Sequence, residues 1–453
     1  MEKYHFIAIG GIGMSGLAKY LLENGYEVSG SDIEDSKYAR ILKDMGAKIY
    51  IGHNENNVPD GAKVIVSTAI KEDNPELLKA KELGLSIYHR SDLLKEIAEK
   101  SQADKKCFIG FAGTHGKTTT SGLASFVLEK SGHSPSFVVG GIVPELDTNA
   151  KYAGGGFFVA ELDESDGTLI KYHPDILVIN NLEEDHLDFY KNGMDDIIKI
   201  FNQAILQSKK VLVNADDLGI KKLSGNFITY GLADADYQAV NIRTSQDGSL
   251  FDINYRGEYL TTIYIQIPGV HNIYNALAVA SAMNEAGLTV DCKKHLFAEF
   301  TGMGRRFQKI YKNENITVYD DYAHHPTEIK ATLNAAALKY GKEHVVAVFQ
   351  PHRYTRLKGL WEEFQSSFDD AQRIIVTDIF SASETPIDGI SSEAFVSQSE
   401  KMEHISGNME EVAEKLYSSL KQGDVVVGLG AGTITDLGKY LKKQGEKGLA
   451  NRV

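Results

Sequence analysis

Short apolar runs alternate with helix-length amphipathic segments through almost the whole chain, and nothing else in the sequence restricts the fold as tightly. A strand that returns parallel to its neighbour needs a crossover of a dozen or more residues, usually a helix, so this rhythm builds α/β units with parallel sheets. It restarts three times. The first block predicts strands at residues 5–9, 27–31 and 63–67, and the polar patch 99–106 reads as a linker. The second predicts strands at residues 107–112, 157–162, 176–180 and 211–214. From about Tyr237 to Ile267 the pattern changes to antiparallel strands, with Asp247-Gly248 as a hairpin turn, and a helix over residues 272–285 follows. The third block begins near Arg306, with strands at residues 316–321, 345–349, 374–378 and 425–429. A chain of 453 residues exceeds one compact core and predicts two or three domains.

Composition narrows the function classes. The net charge of −14 argues against a sequence-independent grip on nucleic acid, while leaving room for local anion sites on glycine loops and helix N-termini. No apolar run reaches the length of a membrane span, so no membrane partner is expected. The N-terminal MEKYHFIAIGGIG is expected to be a first strand rather than a secretory leader. The only two cysteines, Cys107 and Cys292, stand singly and support neither a disulfide framework nor a cysteine zinc site. Both are expected to be buried and reduced.

Chemistry concentrates where strands end. Gly11, Gly13, Met14, Ser15 and Gly16 lie in a G-x-G-x-x-G turn after the first strand, and Asp32 closes the next one. The glycines allow a tight turn and close approach of a diphosphate to a helix N-terminus; NAD and a UDP-sugar fit equally. The segment Gly113, Thr114, His115, Gly116, Lys117, Thr118, Thr119, Thr120 also follows a strand and opens a helix. Its backbone N–H groups suit phosphate oxygens, Lys117 the β and γ phosphates, and Thr118 a magnesium shell. The longer P-loop pattern requires glycine at position 111, where this chain has Phe111. Glu161 opens an acidic strand end, Glu161 to Gly167, that fits a magnesium ligand or a solvated loop. His186, after another strand, fits a metal ligand, a phosphate-orienting group or a surface residue. Arg306, in Gly304-Arg305-Arg306-Phe307, fits an arginine that meets a transferring phosphoryl group, or a basic linker. The loops Asp320–Glu328 and Gln350–Arg356 carry Asp321, Tyr322, His324, His352, Arg353 and Arg356, groups that bind anions or move protons. If the second loop begins a helical turn, Arg353 and Arg356 share a face.

Taken in order, GGIGMSG, GTHGKTTT, ELDESDG, NLEEDHLD, HNIYNALA, GMGRRF, DDYAHHPTEIKA and FQPHRYTR resemble the successive signatures of the Mur ligases, over nearly the whole chain. The resemblance implies an α/β chain of three domains. Residues 1–104 would be an N-terminal Rossmann-like domain for a UDP-sugar, so that no NAD is expected. Residues 105–305 would be a central P-loop ATPase with a parallel sheet plus a small antiparallel sheet. Residues 306–453 would be a C-terminal Rossmann-like domain for the amino acid. The pair DDYAHHPTE and PHRYTR points to the member that adds L-alanine to UDP-N-acetylmuramate in peptidoglycan precursor synthesis; the alternative is the ligase that attaches a recycled tripeptide to the same nucleotide. ATP and Mg²⁺ are implied. Gly113 to Thr119 would hold ATP, with Thr118 and Glu161 on one Mg²⁺ and His186 on a second. Asn275 would face adenine, Asp321 the ribose and Arg306 the γ-phosphate. Tyr322, His324, His352, Arg353 and Arg356 would line the alanine and acyl-phosphate end. A cytoplasmic monomer or weak homodimer, without nucleic-acid or membrane partners, completes the expectation.

Overall fold

The computed structural model describes residues 2–186, 189–245, 248–382 and 384–450, with the side chains of 292 and 447–450 outside the description. Packing divides the chain into two compact units. The first comprises residues 1–242, 250–265 and 273–301, and the second residues 243–249, 266–272 and 302–453.

In the first unit, β1 (Lys3–Ile7), β2 (Glu27–Asp32), β3 (Lys48–Ile51), β4 (Lys63–Val66) and β5 (Ile87–His89) form an all-parallel sheet in the order β3-β2-β1-β4-β5. The chain reverses direction across the sheet between β1 and β4. A crevice therefore opens at their C-terminal ends, the place where open α/β sheets bind ligands. The glycine turn sits there, ahead of helix Ile12–Glu23.

The second sheet has ten strands. They are β6 (Cys107–Ala112), β7 (Ser136–Val143), β8 (Thr148–Lys151), β9 (Phe157–Glu161), β10 (Ile176–Ile179), β11 (Lys210–Asn214), β12 (Ile228–Gly231), β13 (Tyr237–Ser245), β14 (Gly248–Tyr255) and β15 (Glu258–Ile265). Their order is β15-β14-β13-β12-β11-β10-β6-β9-β7-β8. The run from β13 to β7 is parallel, and β8 pairs antiparallel with β7. The strands expected as a small antiparallel sheet beside the parallel one, β13 to β15, adjoin it in one ten-stranded sheet. β14 and β15 are joined by Arg256-Gly257, both at positive φ (50° and 85°), the backbone that a two-residue type I′ hairpin requires. The turn expected at Asp247-Gly248 falls partly outside the described residues.

The linker expected over residues 99–106 is not one. Helix Arg90–Ala103 runs through it, leaving only Asp104 to Lys106 before β6. Leu93, Leu94, Ile97, Ala98 and Ser101 lie on its buried face at helical spacing, and the charged residues that suggested a linker are its exposed side. This helix and helix Ile12–Glu23 share one apolar core with the ten-stranded sheet: Tyr20, Leu21 and Ile97 belong to the same buried cluster as Phe108, Phe158 and Leu177. Tyr20 meets Tyr152 and Phe158 edge to face at 5.4 and 6.2 Å. Cys107 is a free, half-buried thiol, which burial, with Asp175 nearby, pushes up to about 11. The side chain of Cys292 lies outside the description.

The second unit holds β16 (Gln308–Lys312), β17 (Ile316–Asp321), β18 (Val345–Phe349), β19 (Arg373–Val376), β20 (Met402–His404) and β21 (Asp424–Leu429), in the order β16-β17-β21-β18-β19-β20. All pairs are parallel except β16 with β17. Among the described residues no helix is long and apolar enough to cross a membrane.

Candidate active site

The glycine turn is built for close approach. Gly10 N–H donates to Asp32 Oδ2 at 2.8 Å and Glu34 N–H to Asp32 Oδ1 at 3.2 Å, so the acid at the end of β2 braces the turn. Gly16 lets the second sheet come near: a methyl there would lie 2.7 Å from Asn149 Nδ2, and that amide donates to Ile12 O at 2.7 Å. Met14 and Ser15 are buried, and Ser15 Oγ donates to Ile12 O at 3.1 Å. Met14, Ser15 and Gly16, expected to touch substrate, thus have their side-chain space committed to packing and offer a ligand their backbone. Gly11 and Gly13 remain open to the crevice, with only Ala8 O (3.8 Å) and Arg90 Nη1 (4.0 Å) near their added methyls.

The second glycine loop follows β6. Gly113 and Gly116 have φ of 125° and 80°, and added methyls would meet Asn181 O at 2.9 Å and Asn275 Oδ1 at 2.7 Å. Asn275 therefore stands against the loop itself. Asn181 Oδ1 accepts from His115 N–H at 2.7 Å, Glu183 N–H donates to Thr114 Oγ1 at 2.9 Å, and the His115 ring lies 3.4 Å from Glu183 Oε2. These bonds shape the loop from the C-terminal end of β10. Thr119 and Thr120 are buried at the start of helix Lys117–Lys130.

Lys117 Nζ donates to Gly113 O (2.5 Å), Thr114 O (3.0 Å) and Glu164 Oε1 (3.0 Å). Burial opposes its charge, but Glu164, Asp163 and Glu161 hold its pKa above the ordinary value. Glu164 is almost wholly buried; burial pushes its carboxyl up to about 7, against the pull of Lys117. Asp163 is only partly buried; desolvation opposes its charge, yet Arg90 and Lys117 hold it well below the usual carboxylate range. Arg90 Nη2 donates to Asp163 Oδ2. Thr118 Oγ1 donates to Glu161 Oε1 at 3.1 Å, and Gly140 N–H to Glu161 Oε2 at 2.8 Å. His186 takes a positive φ of 56°, unusual outside glycine, with its ring 3.6 Å from Asp185 Oδ2. The residues following it, 187 and 188, lie outside the description.

In the second unit, Asp321 accepts N–H bonds from Phe307 (2.6 Å) and Ala323 (2.7 Å), and burial pushes its carboxyl up to about 6 against the pull of Arg306. Arg305 donates to Asp320 Oδ2 at 3.3 Å and to Gly430 O at 2.8 Å. Arg305 and Arg306 lie over the Tyr322 ring at 4.9 and 5.5 Å, and Arg306 Nη1 is 3.4 Å from Glu328 Oε1. His324 donates its N–H to Glu328 Oε2 at 3.0 Å, and its ring lies 6.0 Å from that of His352. His352 stacks on Phe380, and Arg356 Nη1 is 3.3 Å from His352 Nδ1. Burial, then His324, Arg356 and Arg353, pushes His352 down to about 3, so its ring is neutral at physiological pH. The face-sharing expected of Arg353 and Arg356 does not hold. The helix begins at Tyr354, and Arg353 precedes it at φ 72°, ψ 136°, held by its N–H bond to Phe380 O at 2.9 Å. Arg356 reaches back to His352, while Arg353 departs from helical spacing at this kink.

Sequence reasoning did not single out Arg90 or Gly140. Glu164 lay inside the acidic segment it quoted, and Arg90 carried one usable signal, its place directly after a strand.

Three sequence models cover most of the chain: "Mur ligase family, catalytic domain" matches residues 3–102, "Mur ligase middle domain" 111–283, and "Mur ligase, glutamate ligase domain" 305–432. A UDP-N-acetylmuramate–L-alanine ligase of Sulfurihydrogenibium sp. (strain YO3AOP1) is 41% identical over 98% of this chain and 98% of that protein. One of Aquifex aeolicus (strain VF5) is 39% identical over 96% of each. The solved UDP-N-acetylmuramate–alanine ligase of Thermotoga maritima superposes with a TM-score of 0.85 at 28% identity, covering 99% of this chain and 100% of that one. A murein peptide ligase of Psychrobacter arcticus shares the fold at a TM-score of 0.71 and 22% identity, over 98% of each chain. With all three sequence models matched in order and this identity sustained from end to end, the chain belongs to the Mur ligase family.

Proposed function

We propose that this chain is an ATP-dependent ligase that joins L-alanine to the lactyl carboxylate of UDP-N-acetylmuramate through an acyl phosphate, releasing ADP and phosphate. The observation that carries the reading is end-to-end identity near 40% with relatives of that name. The geometry supports it. A carboxylate is a poor acyl donor until phosphorylated, and phosphoryl transfer asks the protein mainly for positioning and charge neutralisation.

The division into 1–104, 105–305 and 306–453 belongs to this reading, for the UDP-sugar, ATP and the amino acid respectively. The glycine turn at β1 takes the UDP diphosphate on its backbone. Lys117 exchanges its two carbonyl partners for β and γ phosphate oxygens. Thr118 and Glu161, two hard oxygen donors 3.1 Å apart, fit a Mg²⁺ ion that would neutralise phosphate charge when bound. His186, beside Asp185, is assigned to a second ion. Asn275 and Asp321 are assigned to the adenosine, and Arg306 to the γ-phosphate. Arg353 and Arg356 are assigned to the anionic end of alanine or of the acyl phosphate, with His324, Tyr322 and a neutral His352 shaping that end. The protein would act in the cytoplasm as a monomer or weak homodimer.

Phosphate release from ATP, measured with UDP-N-acetylmuramate and each candidate amine, tests the proposal. Release should require L-alanine, with the alanyl nucleotide identified by mass spectrometry. Release with a tripeptide and none with alanine would transfer the chain to the recycling reaction.

A further inference from the structure

Arg90 belongs to none of the roles assigned above, yet it stands between the first glycine turn and the acidic segment after β9. It is the first residue of helix Arg90–Ala103 and follows β5 directly. Nη2 is spent on Asp163 Oδ2, on the acidic segment after β9. Nη1 faces the other way: a methyl placed on Gly13 would lie 4.0 Å from it. About 30% of the side chain remains exposed. The neighbouring residues pin the helix start to the turn Thr168–Lys171 that follows the acidic segment. Lys171 Nζ donates to Ser91 Oγ at 2.9 Å and to Asp92 Oδ1 at 2.5 Å. An ion pair alone would need one edge of a guanidinium. The planar fork offers five donors, and a second edge beside a glycine turn suits a diphosphate.

We propose that Arg90 is a substrate-binding residue of the first nucleotide site, its Nη1 edge meeting the diphosphate held on the Gly11–Gly16 turn while its Nη2 edge stays on Asp163. This rests on the UDP-sugar reading of that turn and adds to it a side-chain contact reaching in from the far end of the sheet. It also gives that nucleotide a physical connection to Lys117, because Asp163 precedes Glu164, the carboxylate that holds the lysine.

Calorimetry on the full chain tests this with uridine, UDP, UDP-N-acetylmuramate and ATP, using wild type, Arg90→Ala, Arg90→Lys and Asp163→Asn. Arg90→Ala should weaken UDP and UDP-N-acetylmuramate at least about tenfold while uridine and ATP stay within about threefold. Arg90→Lys, which keeps the charge and loses the fork, should recover part of the loss. Asp163→Asn, which breaks the pair but keeps the arginine, should hold UDP within about threefold. Wild-type affinity for UDP in Arg90→Ala, or in Arg90→Lys should the alanine variant fail to fold, overturns the proposal alone. So does an equal loss in Asp163→Asn, since Arg90 would then be only a structural pin. Failure of the wild-type chain to bind any uridine nucleotide overturns the reading of the turn and this proposal with it.

Discussion

Glu164→Gln keeps the shape of a buried side chain and removes its charge. Glu164 is 4% exposed and faces Lys117 at 3.0 Å. Burial raises its carboxyl from an ordinary 4.5 to about 7. An acid whose folded pKa exceeds its unfolded one binds more protons folded than unfolded between the two values, so stability falls as pH rises through that window and is flat above it. From 4.5 to about 7, at about 1.4 kcal/mol for each pH unit, the loss has an upper limit of about 3 kcal/mol. The glutamine variant cannot titrate and should not show this loss. Urea unfolding at pH 5, 6, 7 and 8 would measure the difference. The single tryptophan, Trp361, lies in the second compact unit, so its fluorescence follows that unit while far-UV circular dichroism follows both. The expected result is a dichroism-detected transition of the first unit that falls with pH in the wild type by about 2–3 kcal/mol more than in Glu164→Gln, with the Trp361 transition the same in both. Parallel pH profiles, within about 0.5 kcal/mol, would refute the reasoning and place the carboxylate in a better-solvated setting than its burial implies.

Lys117→Ala should lower kcat at least about a hundredfold, the scale of losing one preorganised charge at the transferring group, with an unchanged dichroism spectrum; retention of a tenth of the rate would remove Lys117 from the ATP site. A methyl at Gly140 would fall 2.4 Å from Glu161 Oε2, so Gly140→Ala should raise the Mg²⁺ concentration for half-maximal activity about tenfold without weakening UDP-sugar binding, as a magnesium titration would read. Gly16→Ala drives a methyl into Asn149 and should cost about 1–2 kcal/mol by chemical denaturation; a neutral result would mean that the helix and β8 part easily. Arg353→Lys or Arg356→Lys should raise KM for alanine or lower kcat about tenfold, the worth of one charge-assisted hydrogen bond, while the Kd for ATP moves only a few-fold; wild-type alanine kinetics in both would take these arginines out of the site.

The parallel sheets were legible because their central strands are continuous apolar runs, and β17 and β18 match the sequence reading residue for residue. The edge strands β3, β5 and β20 and the interior strand β12 have three or four residues each, too short for any periodicity to register. Helix Arg90–Ala103 was lost to its own charged face, and the hairpin at Arg256-Gly257 to an arginine at positive φ, which composition does not announce. At the site, residues within one motif were readable: Lys117 with Thr118, and Glu161 in its acidic segment. Partnerships formed only by folding were not. Arg90 and Asp163 are 73 residues apart, and the positive φ that takes Arg353 out of helical spacing sits at a non-glycine residue.

The edge-to-face cluster of Tyr20, Tyr152 and Phe158 limits how freely this chain can be treated as a string of exchangeable modules. Tyr20 is 3% exposed, with Tyr152 and Phe158 from the second sheet against its ring. A chimera that imported its first sheet from another ligase would inherit a seam to be refilled ring for ring, on top of matching the turn that holds the nucleotide. A smaller residue at position 20 would open a void the size of an aromatic side chain between the two sheets. Recombination among such ligases would therefore be poorly tolerated at the short connection before β6.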